Sequence, residues 1–142
     1  MELYPAYERS HLLARMPAPE RRFLSDIARE VTAEDGAILF EAGEPADRFF
    51  VIGKGRVELF SENGTVVDIL GPGELVGVSW FYPDREWSLS GRVRSQFIGV
   101  EFPADPVRAR CNVDDRLRLI VLDELYSAMF DRLARARAAR ST

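Results

Sequence analysis

Phe40-Glu-Ala-Gly-Glu-Pro-Ala-Asp-Arg-Phe-Phe-Val-Ile-Gly-Lys-Gly-Arg-Val-Glu-Leu-Phe60 is the stretch on which the fold turns. Glu41 to Pro45 carries the glycine and proline of a turn, Arg48 to Ile52 reads as a strand, and Gly53-Lys54-Gly55 reads as the next turn. Val57 and Leu59 then alternate with charged residues, the period of a half-buried strand. Downstream, Asn63-Gly64 tolerates positive φ at both positions and separates this strand from Val66, Val67 and Ile69, a hairpin signal. Ser88 to Arg94 and Gln96 to Phe102 read as a last strand pair, and upstream the β region opens near Ala37-Ile-Leu-Phe40. All ten glycines fall between Gly36 and Gly99, marking where the backbone must bend sharply. Short strands at this spacing predict an antiparallel β-roll or jelly roll over residues 36–102.

The flanks contain no glycine and read as helical. Residues 6–15 predict a short helix with Leu12, Leu13 and Met16 on its apolar side. Pro17 and Pro19 interrupt it, and Pro19 suits the first turn of a second helix. Phe23, Leu24, Ile27 and Val31 continue at helical spacing, so the N-terminal helices are expected over 6–31. On the other side, helices are expected over 103–139, the main one from Val113 to about Ala138. Val113, Leu117, Val121, Leu125, Met129 and Leu133 form its i, i+4 stripe, and Leu122, Tyr126 and Phe130 a second row. A face this broad serves either the roll and a second copy of the chain, or one wide contact within a monomer. Asp114 and Asp115 at its start and Arg132, Arg135, Arg137 and Arg140 at its end match the helix dipole; these arginines read as a solvated terminus. The expectation is one domain over 1–142, mainly β with flanking helices.

The totals narrow the function classes. A net charge of −4 argues against sequence-independent nucleic-acid binding, which needs a basic face. One cysteine, Cys111, cannot form an internal disulfide and reads as a small buried filler. One histidine, His11, reads as a helix-surface residue and cannot build a His-rich metal cluster within one chain. The Met-Glu-Leu-Tyr-Pro start lacks an export pattern and no apolar run reaches a membrane span, so a cytoplasmic protein is expected. No acid/base pair points to an enzyme.

Within the β region, Gly71-Pro-Gly-Glu-Leu-Val-Gly77-Val-Ser-Trp-Phe-Tyr-Pro83-Asp-Arg-Glu86 combines a turn, an aromatic-rich segment and an arginine. These are the ingredients of a pocket for a small anion. Glu74 reads as a solvated turn residue.

Helices, the Phe40–Phe60 pattern, Leu70-Gly-Pro-Gly73 and a long closing helix, taken in this order over roughly residues 10 to 135, resemble the cyclic nucleotide-binding domain. Among its members the chain looks most like small stand-alone bacterial versions. The resemblance implies a non-enzymatic regulatory sensor with no cofactor. Its cassette would take a cyclic nucleotide, cyclic AMP or cyclic GMP, and its C-terminal helix would transmit the event. In that cassette a short helix aims backbone N–H groups at the cyclic phosphate and an arginine grips the phosphate oxygens. By resemblance Gly77 matches the cassette glycine, Val78 and Ser79 follow it, and Arg85 matches the phosphate arginine. Val78 stands where the family places a ribose-binding glutamate. The Gly77–Arg85 interval is short, so a truncated cassette helix is expected.

Trp80, Phe81, Tyr82 and Trp87 read two ways: one ring stacks on a purine, or the rings plug the roll. If they plug it, the roll is a scaffold for homodimerisation or for docking a protein partner. Leu117, Val121, Leu125 and Met129 are the candidates for the dimer or closing-helix surface. The family's DNA-binding regulators append a helix-turn-helix after the long helix, so with the sequence ending at Thr142 no DNA-binding domain is expected.

Overall fold

The computed structural model describes residues 10–141. Helix α1 (His11–Arg15) starts where Ser10 Oγ accepts the Leu13 N–H at 3.3 Å. The expected helical residues 6–9 lie outside the described part. Helix α2 (Ala18–Ile27) carries Pro19 in its first turn, where no donor is missed. It ends at Ile27 and not at Val31.

Arg29–Ala33 is instead strand β1. The helical spacing that links Phe23, Leu24 and Ile27 holds only as far as Ile27. Beyond it Val31 and Ala33, two apart, pack partly on the core, and the period-two pattern wins because β6 supplies the ladder.

The remaining strands are β2 (Ile38–Phe40), β3 (Arg48–Phe60), β4 (Val66–Leu70), β5 (Leu75–Val76) and β6 (Ser90–Pro103). They form one antiparallel sheet in the order β1-β6-β3-β4, with β2 added to β6 and β5 to β3. Gly53-Lys54-Gly55, expected to be a turn, is a bulged part of β3, whose register against β6 shifts on both sides of Lys54. Gly55 has φ 89°, and a Cβ there would lie 2.5 Å from the Gln96 oxygen. Glycine thus lets two long strands bend together without separating. The expected last pair is likewise the single strand β6, with Ser95 at φ 58° opposite the bulge. β3 and β4 form the Asn63-Gly64 hairpin, in which Asn63 Oδ1 accepts the Thr65 N–H at 3.1 Å.

Phe49, Phe50, Val51 and Ile52 are all buried, because helix α3 (Ala104–Cys111) packs on β3 and β6 outside while the roll closes inside. Helix α4 (Asp115–Ser141) then runs back over α1, α3 and β4.

Candidate functional site: a closed cassette under the C-terminal helix

The cassette runs from β5 to β6. Gly77, with φ 105°, takes a conformation that an L side chain resists. The expected truncated helix is one 3₁₀ turn, Ser79–Phe81. Its entry is tied down by the Trp80 indole, whose Nε1–H donates to the Gly77 carbonyl at 3.0 Å. Trp80 is fully buried and stacks on Phe49 with centroids 4.1 Å apart.

After Pro83 the chain turns at Asp84, with φ 62°, and runs extended beside the Gly43–Ala46 loop. Ala46 N–H donates to the Arg85 carbonyl, Trp87 N–H to the Glu44 carbonyl and Gly43 N–H to the Trp87 carbonyl, each at 2.9 Å. This register sends Trp87 into the roll, where it is 4% exposed and stacks on Phe40 at 4.3 Å. A Cβ on Gly77 would lie 2.8 Å from Trp87 Cη2 and 2.9 Å from Cζ3, so the indole rests directly on the glycine.

The free space left beside Gly77, Val78, Ser79 and Trp87 is about 20 Å³. That is room for one water molecule, against the several hundred Å³ of ordinary small-molecule sites. Val78 is half-buried against the core and offers no carboxylate.

Arg85 does not line that space. It is exposed, and its guanidinium sits 5.9 Å from the Tyr82 ring centre. Of the four candidate rings, Trp80, Phe81 and Trp87 fill the interior, while Tyr82 remains 55% exposed. The structure therefore joins Gly77, Val78, Ser79 and Trp87 and leaves Arg85 apart from them.

The cation beside the cassette comes from α4: Arg132 lines the same small cavity. Its Nε lies 3.9 Å from Asp68 Oδ2 on β4 and, like the Trp87 Nε1, is buried without a hydrogen-bond partner among the described residues. Burial lowers the Arg132 pKa, and Asp68 works against that shift. Arg135 grips Asp68 with both ends of its fork, Nε to Oδ1 and Nη2 to Oδ2 at 2.8 Å each. These hydrogen bonds raise the Arg135 pKa. Two arginines read as a solvated terminus are thus docked on the roll. Glu74 is also more than a solvated turn residue. It accepts the Gly71 N–H at 2.6 Å and lies 3.7 Å from Arg135 Nη1. A polar groove of about 280 Å³ runs between α4 and β4, with Asp68, Glu124 and Arg132 in its walls.

Further ion pairs fix the near half of α4. Glu124 meets His11 and Arg15, Asp123 meets Arg15, and Arg116 grips the buried Glu20 at 2.7 and 3.0 Å. Leu117, Val121 and Leu125 are buried against the body, whereas Met129 is 55% exposed. The expected stripe therefore splits. Its middle closes on the roll, and Met129 and Leu133 join Leu119, Tyr126 and Phe130 on the open side.

Sequence reasoning missed Asp68 and Arg132 as site residues. The available signal was Asp68 standing alone among Val66, Val67, Ile69 and Leu70 on a short strand. Its partners lie more than 60 residues away, so nothing local names them.

A family model described as "Cyclic nucleotide-binding domain" matches residues 30–114, more than half of the chain. No curated protein matches the sequence. Among solved structures, a putative cyclic nucleotide-binding protein from Geobacter metallireducens GS-15 superposes with TM-score 0.83 at 20% identity, covering 93% of this chain and 99% of its own. A cyclic nucleotide-binding domain from Methylobacillus flagellatus KT gives TM-score 0.79 at 17% identity, covering 96% and 84%. The sensor domain of the transcriptional regulator DNR from Pseudomonas aeruginosa gives 0.73 at 16% identity, covering 86% and 89%. These likenesses establish the β-roll with its N-terminal helices and long C-terminal helix. No described helix is long and apolar enough to cross a membrane.

Proposed function

We propose that this chain, which belongs to the cyclic nucleotide-binding domain family, is a non-catalytic regulatory module that works with its cassette closed and presents the outer face of α4 to a second copy of itself. One observation carries the reading: the Trp87 indole lies on Gly77, where a ligand phosphate would have to approach.

For cyclic AMP or cyclic GMP to enter, three things would have to change together. Trp87 would have to leave a nearly complete burial worth about 4–6 kcal/mol of apolar contact, at 150–250 Å² per aromatic side chain and about 25 cal/mol per Å². Arg85 would have to abandon Tyr82 and swing to the cassette. The ribose would still lack its carboxylate, since Val78 stands there, at about 1–3 kcal/mol for the unmade hydrogen bond. Typical ligand affinities of 8 kcal/mol (micromolar) do not survive such deductions.

The output side rests on α4. At about 100° per residue, Leu119, Leu122, Tyr126, Met129, Phe130 and Leu133 share one side of the helix, facing away from Leu117 and Val121, with Leu125 at its edge. The 119-122-126-129-133 spacing alternates three and four, the period of a coiled-coil seam. Five of those six side chains are at least half exposed, and the stripe runs for about 21 Å.

Calorimetry with cyclic AMP and cyclic GMP tests the closed cassette: no saturable heat is expected. Micromolar binding that disappears in Arg85→Ala would overturn the reading and establish the nucleotide sensor instead. Sedimentation tests the output. The wild-type chain is expected to be a dimer and Tyr126→Glu/Met129→Glu a folded monomer; a monomeric wild type at high concentration rejects the α4 interface.

A further inference from the structure

A second cleft lies on the far side of the cassette's aromatic segment, between the 3₁₀ turn, α3 and the start of α4. Its free volume is about 250 Å³, just below the range at which small-molecule pockets usually begin. Phe81, Tyr82 and Pro83 form one wall, and Arg108, Asn112 and Arg118 the other. Phe81 and Tyr82 meet edge to face at 5.2 Å, which gives the apolar wall a fixed shape.

The two arginines differ in their ties. Arg108 donates to the Trp80 carbonyl and to Asp105, so it is engaged. The Arg118 guanidinium lies 5.3 Å from the centre of the Phe81 ring and, among the described residues, has no carboxylate partner and no side-chain hydrogen bond. It also reaches toward Cys111: burial raises that thiol's pKa, and the Arg118 charge acts against the shift. The neighbouring acids are taken or turned elsewhere, Asp105 pairing with Arg108 and Asp114 with Arg110 at 3.2 Å. A half-buried guanidinium placed over an aromatic ring, with no carboxylate among the described residues to meet it, presents its donors to whatever enters the cleft.

We infer that this cleft is a binding site for a small organic anion with a flat apolar body, the class of which an aromatic carboxylate is the simplest member. Arg118 takes the carboxylate in a fork geometry, Asn112 supplies a neutral hydrogen bond, and the ring lies along Phe81, Tyr82 and Pro83. The walls come from the cassette turn, α3 and α4, so the ligand would touch the three elements whose relative position sets the outer face of α4. The inference does not depend on whether the cassette is open.

The probe is sodium benzoate, titrated into the full chain by calorimetry and by tryptophan fluorescence. Trp80 stands 5.7 Å from Phe81 and is the optical reporter. Saturable benzoate binding is expected, with benzamide and acetate each at least about tenfold weaker, because one lacks the charge and the other the ring. Arg118→Gln is expected to weaken benzoate by about tenfold or more, and Tyr82→Ala, at an exposed position that folding tolerates, to weaken it as well. Lys54→Gln, on the distant β3 bulge, controls for general loss of charge. Absence of saturation with benzoate, or equal affinity in Arg118→Gln and wild type, overturns the inference.

Discussion

The contact between Trp87 and Gly77 can be measured by a double-mutant cycle. Gly77→Ala carries two separable costs. The backbone at φ 105° penalises any L side chain by about 1–3 kcal/mol, whatever its neighbours. The new Cβ, at 2.8 Å from the indole, must also push a packed ring aside, about 1–3 kcal/mol for overpacking of this kind. Trp87→Leu removes the ring atoms in question. Its own cost stays below the roughly 3–5 kcal/mol of a Trp→Ala truncation because the aliphatic body remains. In the Leu background only the backbone cost of Gly77→Ala persists. The two changes should therefore couple by about 1–3 kcal/mol, the double variant being more stable than the sum of the singles predicts. Urea unfolding of the four proteins, read as midpoint times slope, gives the number. Additivity within about 0.5 kcal/mol would refute the argument, since it would mean that the indole does not rest on the glycine.

Three further expectations follow from the anchoring of α4. Asp68→Asn should remove the charge that holds Arg132 and Arg135, weakening the dock by about 1–3 kcal/mol; amide exchange should speed up in α4 beyond Leu125 while β3 and β6 keep their protection. Leu117→Ala, at a fully buried position, should cost about 2–5 kcal/mol, and Leu119→Ala, on the open face, should cost the monomer no more than about 0.5 kcal/mol by thermal unfolding. Asp114 accepts the Leu117 N–H at 3.0 Å at the start of α4, and that bond, helped by Arg110 and opposed by burial, lowers its pKa. A lowered folded-state pKa gives stability that is present above the unfolded value of about 3.9 and is lost as pH falls through the folded value. Asp114→Ala should therefore cost about 1 kcal/mol at neutral pH, with the gap between variant and wild type closing below about pH 4; a gap independent of pH down to that range would count against the charged cap.

Much of the fold could be read locally because its devices are local. Asn63-Gly64 sets its own hairpin, and Pro19 sits where a helix loses nothing. The glycines from Gly36 onward mark most of the β body, several of its bends taking positive φ, although β1 lies ahead of the first of them. Where the reading failed, the deciding partner was distant. Val31 fits a helix by spacing, but β6 offers it a ladder opposite Gly99. Gly53 and Gly55 look like a turn, yet the strand beyond them continues on β6 because Ser95 turns in step with them.

The cassette is the sharper instance, because its residues were recognised and their orientation was not. Arg85, Glu86 and Trp87 are consecutive, and any of them could face inward on sequence grounds. The choice is made by three backbone bonds to Gly43–Ala46, a loop some forty residues upstream, which carry Trp87 to Gly77 and leave Arg85 on Tyr82. Closing the cassette in this way also changes what α4 can sense. With the indole in place, Arg132 meets a filled cavity and balances its charge on Asp68, so the helix is held by the roll's own residues. Control of its outer face can then come from what touches α4 elsewhere, and the Arg118 guanidinium near the start of the helix, over Phe81 and with no carboxylate partner among the described residues, is where the proposed anion would act.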